Sequence, residues 1–164
     1  MKSTARILAA GLLMVGCVAA HSHEAVKAAA NPEALFTSPD PKLHANKQVA
    51  YKIVRDLLEA GHWDKAGDYL TKRYIQHNPL AESGLDGVIY YFTQVAKVKP
   101  KPIPEKIKTP VVSVTAEGDL VVVTFVREVK DPKDPTKTYT TTWFDMFRVG
   151  DGKLVEHWDT ATIE

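Results

Sequence analysis

Apolar residues recur at helical spacing in the first half of the chain and alternate with polar ones in the second. Over residues 43–60, Val49, Ala50, Ile53, Val54, Leu57 and Leu58 share one face of a 3.6-residue period, which predicts a helix with a buried stripe. Asp40-Pro41 suits its N-cap and first turn, and Gly61 suits the position after its end. A short helix is predicted over 62–70, with Trp63, Ala66 and Leu70 inward. The pattern then breaks over 74–79, because a residue before proline, here Asn78, is pushed away from helical geometry. A third helix is predicted over 85–97, capped by Ser83 with Asp86 three residues on, and with Val88, Ile89, Phe92, Val95 and Ala96 facing the core.

Pro100, Pro102 and Pro104 end regular structure, and beyond them the period falls to two. Four strands are predicted, over 107–116, 120–130, 138–149 and 153–163. Glu117-Gly118-Asp119 and Gly150-Asp151-Gly152 are tight-turn signals that make hairpins of the first and last pairs. The connection 131–137 carries Pro132 and Pro135 and reads as a longer exposed loop. Helices first and antiparallel strands later predict an α+β layer fold, with a curved sheet wrapped around three N-terminal helices.

The first twenty residues do not match this pattern. Lys2 and Arg6 precede an uncharged run, Ile7 to Val15, of the length of a signal-peptide core and shorter than the roughly 20 apolar residues that span a bilayer. Residues 1–20 are therefore expected to be a signal peptide cut after Val18-Ala19-Ala20, sending the protein to the periplasm or outside the cell. Met14-Val15-Gly16-Cys17 offers the alternative of a lipobox, with Cys17 as a lipid anchor. Residues 21–42, rich in Ala, Pro, Ser and His, are expected to form a flexible arm or tether, leaving 43–164 as the folded domain. Without Lys2 and Arg6 the 21 basic side chains become 19 against 20 acidic ones, a formal charge of −1 with no block of either sign. That balance argues against nucleic acid or an anionic membrane as partner. Cys17 is the only cysteine, so a chain cut after Ala20 has no disulfide.

Three local strings carry a resemblance. Tyr74-Ile-Gln-His-Asn-Pro79 precedes Gly84-Leu-Asp-Gly-Val-Ile-Tyr-Tyr-Phe92, and the chain ends near Phe144-Asp-Met-Phe-Arg-Val-Gly-Asp-Gly-Lys-Leu-Val-Glu-His-Trp-Asp159. In this order they resemble bacterial SnoaL-like proteins of the nuclear transport factor 2-like superfamily, including those described as aldol-condensation or polyketide-cyclase-like. The resemblance covers about residues 46–163. It implies a cone-shaped sheet with a pocket opening into the cone, no cofactor, a small apolar ligand and, by analogy, a homodimer. It fixes architecture better than activity, since the superfamily holds cyclases, isomerases, hydrolases and proteins that catalyse nothing.

Alternation puts His157 and Asp159 on one face of the last strand, and Trp143, Asp145 and Phe147 on one face of the strand before it. The hairpin at 150–152 brings these strands together, so the two aspartates are expected to border one cavity. A carboxylate among Trp143, Phe144 and Phe147 is costly to bury unless paired or protonated. One reading makes Asp145 and Asp159 pocket acids or bases, with His157 or His77 supplying or orienting a proton. The other has Asp145 meet Arg127 or Arg148 in an ion pair on the outside of the sheet. In the polyketide cyclases an aspartate matching Asp159 is the proposed acid/base group, and a histidine stands in place of Asp145, so their ring-closing chemistry is not carried over directly. His77 and Asn78 are placed either against a ligand carbonyl or in local capping and turn roles, and Tyr74 either lines the pocket or joins the core. His21, His23 and Glu24 make a poor metal site, and no other group has recognised ligand spacing. The expected activity is acid/base catalysis of the isomerase, cyclase or hydrolase type on a small apolar carbonyl compound. The alternative is a non-catalytic binding or dimerising module of the same fold.

Overall fold

A computed structural model of the chain describes residues 24–163. The leader, Cys17 and the His21/His23 pair lie outside the described residues. Helix α1 (Pro32–Leu35) leads to α2 (Pro41–Lys52), whose N-cap Asp40 accepts a bond from the Leu43 amide at 2.9 Å. From Ile53 to Glu59 the same helix widens into π turns and stops at Gly61. Gly61 has a φ of +76°, and a Cβ there would lie 2.8 Å from Val98 Cγ1, so both conformation and space require glycine. A 3₁₀ helix (Trp63–Asp68) follows, then strand β1 (Leu70–Gln76), helix α3 (Leu85–Tyr90) with its π extension (Tyr91–Val95), and strands β2 (Val111–Glu117), β3 (Leu120–Lys130), β4 (Thr138–Gly150) and β5 (Lys153–Asp159).

The strands form one sheet in the order β1-β5-β4-β3-β2, antiparallel except for β1 beside β5. Register shifts within the β2–β3 and β4–β5 pairs, at Val111/Ser113 and Arg148/Val149, are of the kind that bends a sheet. The concave face closes over the helices: Val121, Val123, Phe147 and Leu154 meet Val54, Leu57, Trp63 and Val88. Trp63 and Phe92 stack with centroids 3.6 Å apart. The α+β expectation of a curved sheet around the helices is what the chain adopts.

Three local expectations are corrected. Residues 74–76, read as a break, complete β1, because parallel pairing with β5 rather than internal periodicity makes this segment a strand. Ser83 does not cap α3. Its hydroxyl accepts from the Gln76 amide at 3.0 Å, and Gly84 takes the N-cap position with a φ of +92°. The described part of the expected tether is packed. Phe36 is fully buried, Glu33 Oε1 accepts from the Ile107 amide at 3.0 Å, and the Ala29 amide donates to Val111 O at 2.8 Å. Burying Phe36 is worth about 1.5–3 kcal/mol, and it acts with these backbone and side-chain bonds to hold the segment on the domain.

Candidate functional site

A cavity of about 280 Å³ opens where α3 and its extension cross the concave face of β1, β5 and β4. Its walls are mostly apolar, with Ile53, Leu70, Val88, Phe92 and Leu154 among them, and its polar groups come from neighbouring strands. Antiparallel pairing sets Asp145 opposite Asp159 and Phe147 opposite His157. Because opposed residues of paired strands share a face, all four point into the cavity. The Asp145, His157 and Asp159 side chains offer atoms that lie within 4.8 Å of one another.

Each of the three is held by neutral donors or acceptors. Asp145 is 6% exposed and accepts a 2.8 Å bond from Trp143 Nε1. Asp159 accepts from Asn78 Nδ2 at 2.6 Å on one oxygen and from the Ala161 amide at 2.9 Å on the other. The Asn78 side-chain oxygen is in turn fixed by the Leu80 amide at 2.8 Å. His157 Nδ1 lies 2.7 Å from Gln76 Oε1, an oxygen that also accepts the Asn78 amide at 3.0 Å. A backbone N–H needs an acceptor, so that atom is oxygen, and His157 Nδ1 must donate to it. His157 Nε2 consequently faces Asp145 Oδ1, 3.4 Å away. These two atoms can bond to each other only through a proton carried by one of them.

Tyr74 completes the site. It is 4% exposed, lines the cavity, and its hydroxyl bonds to no other described residue. Burial first, and then the charges of Asp145 and Asp159, push its phenol well above the ordinary range. The group is therefore a permanent O–H donor facing the cavity.

Of the residues singled out in the sequence, Asp145, Asp159, His157, Tyr74, Asn78, Trp143 and Phe147 line this cavity, and His77 does not. The pocket role expected of His77 is corrected. Its ring projects from the opposite face, where Nε2 lies 2.8 Å from Glu156 Oε1 and the ring stacks on Trp158 at 5.0 Å. Nor does Asp145 form the outer ion pair: Arg148 binds Glu156 and Asp119, both at 2.9 Å. Gln76 was missed. Once β1 is known to be a strand, period two places Tyr74, Gln76 and Asn78 on one face and His77 on the other. Asp145, His157 and Asp159 are also the side chains whose donor atoms would suit a divalent cation, with Gln76 orienting the histidine.

The SnoaL-like domain model matches residues 50–157. No curated protein matches the sequence. Among solved structures, a protein described as a candidate SnoaL-like polyketide cyclase from Jannaschia sp. CCS1 is 18% identical, with a TM-score of 0.52 over 76% of this chain and 90% of that one. Candidate polyketide cyclases from Acidithiobacillus ferrooxidans and Bacillus cereus are each 16% identical with TM-scores of 0.50. The first alignment covers 71% of this chain and 87% of that one, the second 84% and 85%. At such identities these likenesses speak for the fold, while the match over 50–157 speaks for the family. The chain belongs to the SnoaL-like domain family.

Proposed function

We propose that this protein is an acid/base catalyst that removes a proton next to the carbonyl of a small, mostly apolar compound, using its side chains alone. The observation that carries the reading is the placement of Asp145, His157 and Asp159 within 4.8 Å of one another in an apolar cavity. Asp159 is the base: each of its oxygens accepts one protein bond and keeps a lone pair for the substrate. The C–H electron pair moves into a C=C bond, and the carbonyl π pair moves onto oxygen, where Tyr74 donates a hydrogen bond to the enolate. In a β,γ-unsaturated ketone the enolate is a dienolate, and return of a proton to its γ carbon, with the Asp145–His157 pair as the second proton site, gives the conjugated isomer. Attack of the enolate carbon on a second carbonyl moves that C=O π pair onto oxygen, and the alkoxide takes back the proton from Asp159 to give an aldol-type product. The polyketide-cyclase descriptions of the structural relatives support a carbonyl substrate.

Export belongs to the same proposal, carried by residues 1–20, with processing after Ala20 or lipidation at Cys17. So does a homodimer through the convex face of the sheet, where Phe144 and Ile75 are exposed. A binding module without catalysis is the rival reading, and the free Tyr74 hydroxyl would serve it equally well. The two separate in deuterium oxide. A panel of cyclic and aryl ketones is incubated with the protein, and exchange at the carbon next to the carbonyl is followed by NMR. Exchange that is lost in Asp159→Asn is expected. Exchange unchanged by that substitution rejects the base, and binding without exchange across the panel favours the module.

A further inference from the structure

A second, more open cavity of about 360 Å³ adjoins the first and shares Leu80, Trp143 and Ala161 with it; Arg127, Thr160 and Thr162 complete its lining. The pleat brings Arg127 there. Val123 pairs with Asp145, Phe125 with Trp143 and Arg127 with Thr141, so Arg127 continues the concave-face row of Val121, Val123 and Phe125. Those three are buried. Arginine follows where the row leaves the core. Its guanidinium carbon lies 4.8 Å from the centroid of the Trp143 ring, and Trp143 is itself fixed to Asp145 by its indole N–H. No described residue forms an ion pair or hydrogen bond with this guanidinium.

An arginine stacked on an aromatic face is held in orientation, while the N–H fork along its edge stays open. Such a fork fits a planar carboxylate through two parallel bonds. The joined cavities thus have an acidic end at Asp145 and Asp159 and a basic end at Arg127, with apolar walls and Trp143 between them. We propose that the ligand is an oxo-carboxylic acid, its ketone in the first cavity and its carboxylate on Arg127 in the second. Repulsion from Asp159 and attraction to Arg127 favour one orientation, which brings the carbonyl end to Asp159 and Tyr74. This specificity rests on reading the first cavity as a ligand site and would hold for a catalyst or a binder.

The test uses 4-oxo-4-phenylbutanoate and its neutral amide, which share an aryl ketone and differ in charge. Their Kd values are measured calorimetrically on the full protein in low and high salt. The acid is expected to bind about tenfold more tightly than the amide at low salt, the scale of one charge-assisted contact, and less so as salt screens it. Arg127→Gln should abolish the preference, and an unchanged far-UV circular dichroism spectrum and Tm show that the variant is folded. Arg127→Lys should keep part of it. Equal affinity for the two probes, a preference that survives Arg127→Gln, or no binding of either at millimolar concentration would overturn the proposal. Because the measurement reads binding, a protein that prefers the acid yet exchanges no proton would keep this inference and reject the catalytic one.

Discussion

The two faces of the β4–β5 hairpin carry the same kinds of side chain and use them in opposite ways. On the convex side Glu156 binds His77 and Arg148, Arg148 also binds Asp119, and the His77 ring and the Arg148 guanidinium both lie against Trp158. Each charge has a partner of opposite sign. On the concave side Asp145 and Asp159 are held by the indole of Trp143, the amide of Asn78 and the backbone of Ala161, with no bond to lysine or arginine. A completed ion pair has little left to offer a ligand. A carboxylate held by neutral donors in apolar surroundings keeps lone pairs available to a ligand, and burying it without a cationic partner costs stability. One residue of pleat separates the two outcomes.

The largest contrast should come from substituting one acid on each face. Asp159→Asn is expected to lower the proton-exchange rate by 10²- to 10⁴-fold, the usual worth of a general base, measured by NMR under saturating ketone. Glu156→Gln, three positions earlier on the same strand, should leave that rate alone. Equal losses from both would erase the distinction between the faces. Next in size is Tyr74→Phe, which removes the proposed enolate donor and should cost about 10²- to 10³-fold in kcat. Because that hydroxyl bonds to no other described residue, the substitution breaks no internal contact and Tm should hold or rise. A drop in Tm with kcat intact would make Tyr74 a core residue instead.

A smaller effect is expected at Gln76, whose side-chain oxygen holds His157 Nδ1 and the Asn78 backbone amide. Gln76→Leu should lower kcat by about tenfold, the rate equivalent of one hydrogen bond, with KM little changed. The ¹⁵N shift of His157 Nδ1 should move as well, which loss of packing alone would not produce, and Gln76→Glu, which restores an acceptor, should recover it. This position also shows where sequence reading stopped. Strands β2 to β5 were legible because their apolar positions alternate and tight turns join the first and last pairs, which set Asp145 beside His157 and Asp159, while the choice of the inward face over an outer ion pair rests on the family resemblance. Strand β1 was not legible. It pairs in parallel with a strand whose contacts lie 81 residues away, as between Gln76 and His157, and its middle is the exposed pair Lys72 and Arg73. Without knowing that this segment is a strand, nothing separates the faces of Gln76 and His77. Phe36 escaped for a related reason: composition averages over a segment, whereas burial acts on one side chain.

The smallest effect sharpens the convex side. Glu156 has its carboxyl held below its ordinary value of 4.5, first by the bond from His77 and then by Arg148, and Arg148 holds Asp119 down in the same way. A value lowered in the folded state means that, as pH falls, the unfolded chain takes up the proton first. The stability this carboxylate adds is therefore fully present above its ordinary range and is lost as pH drops through the folded-state value. Calorimetric Tm curves of wild type and Glu156→Gln should lie slightly apart at neutral pH and converge below about pH 4.5, the variant having the shallower acid limb. The separation should be small, because exposed ion pairs add little, and it should shrink further in high salt. Curves that stay parallel down to the lowest pH would mean that the convex network adds no pH-dependent stability, and the contrast between the faces would then rest on the cavity alone.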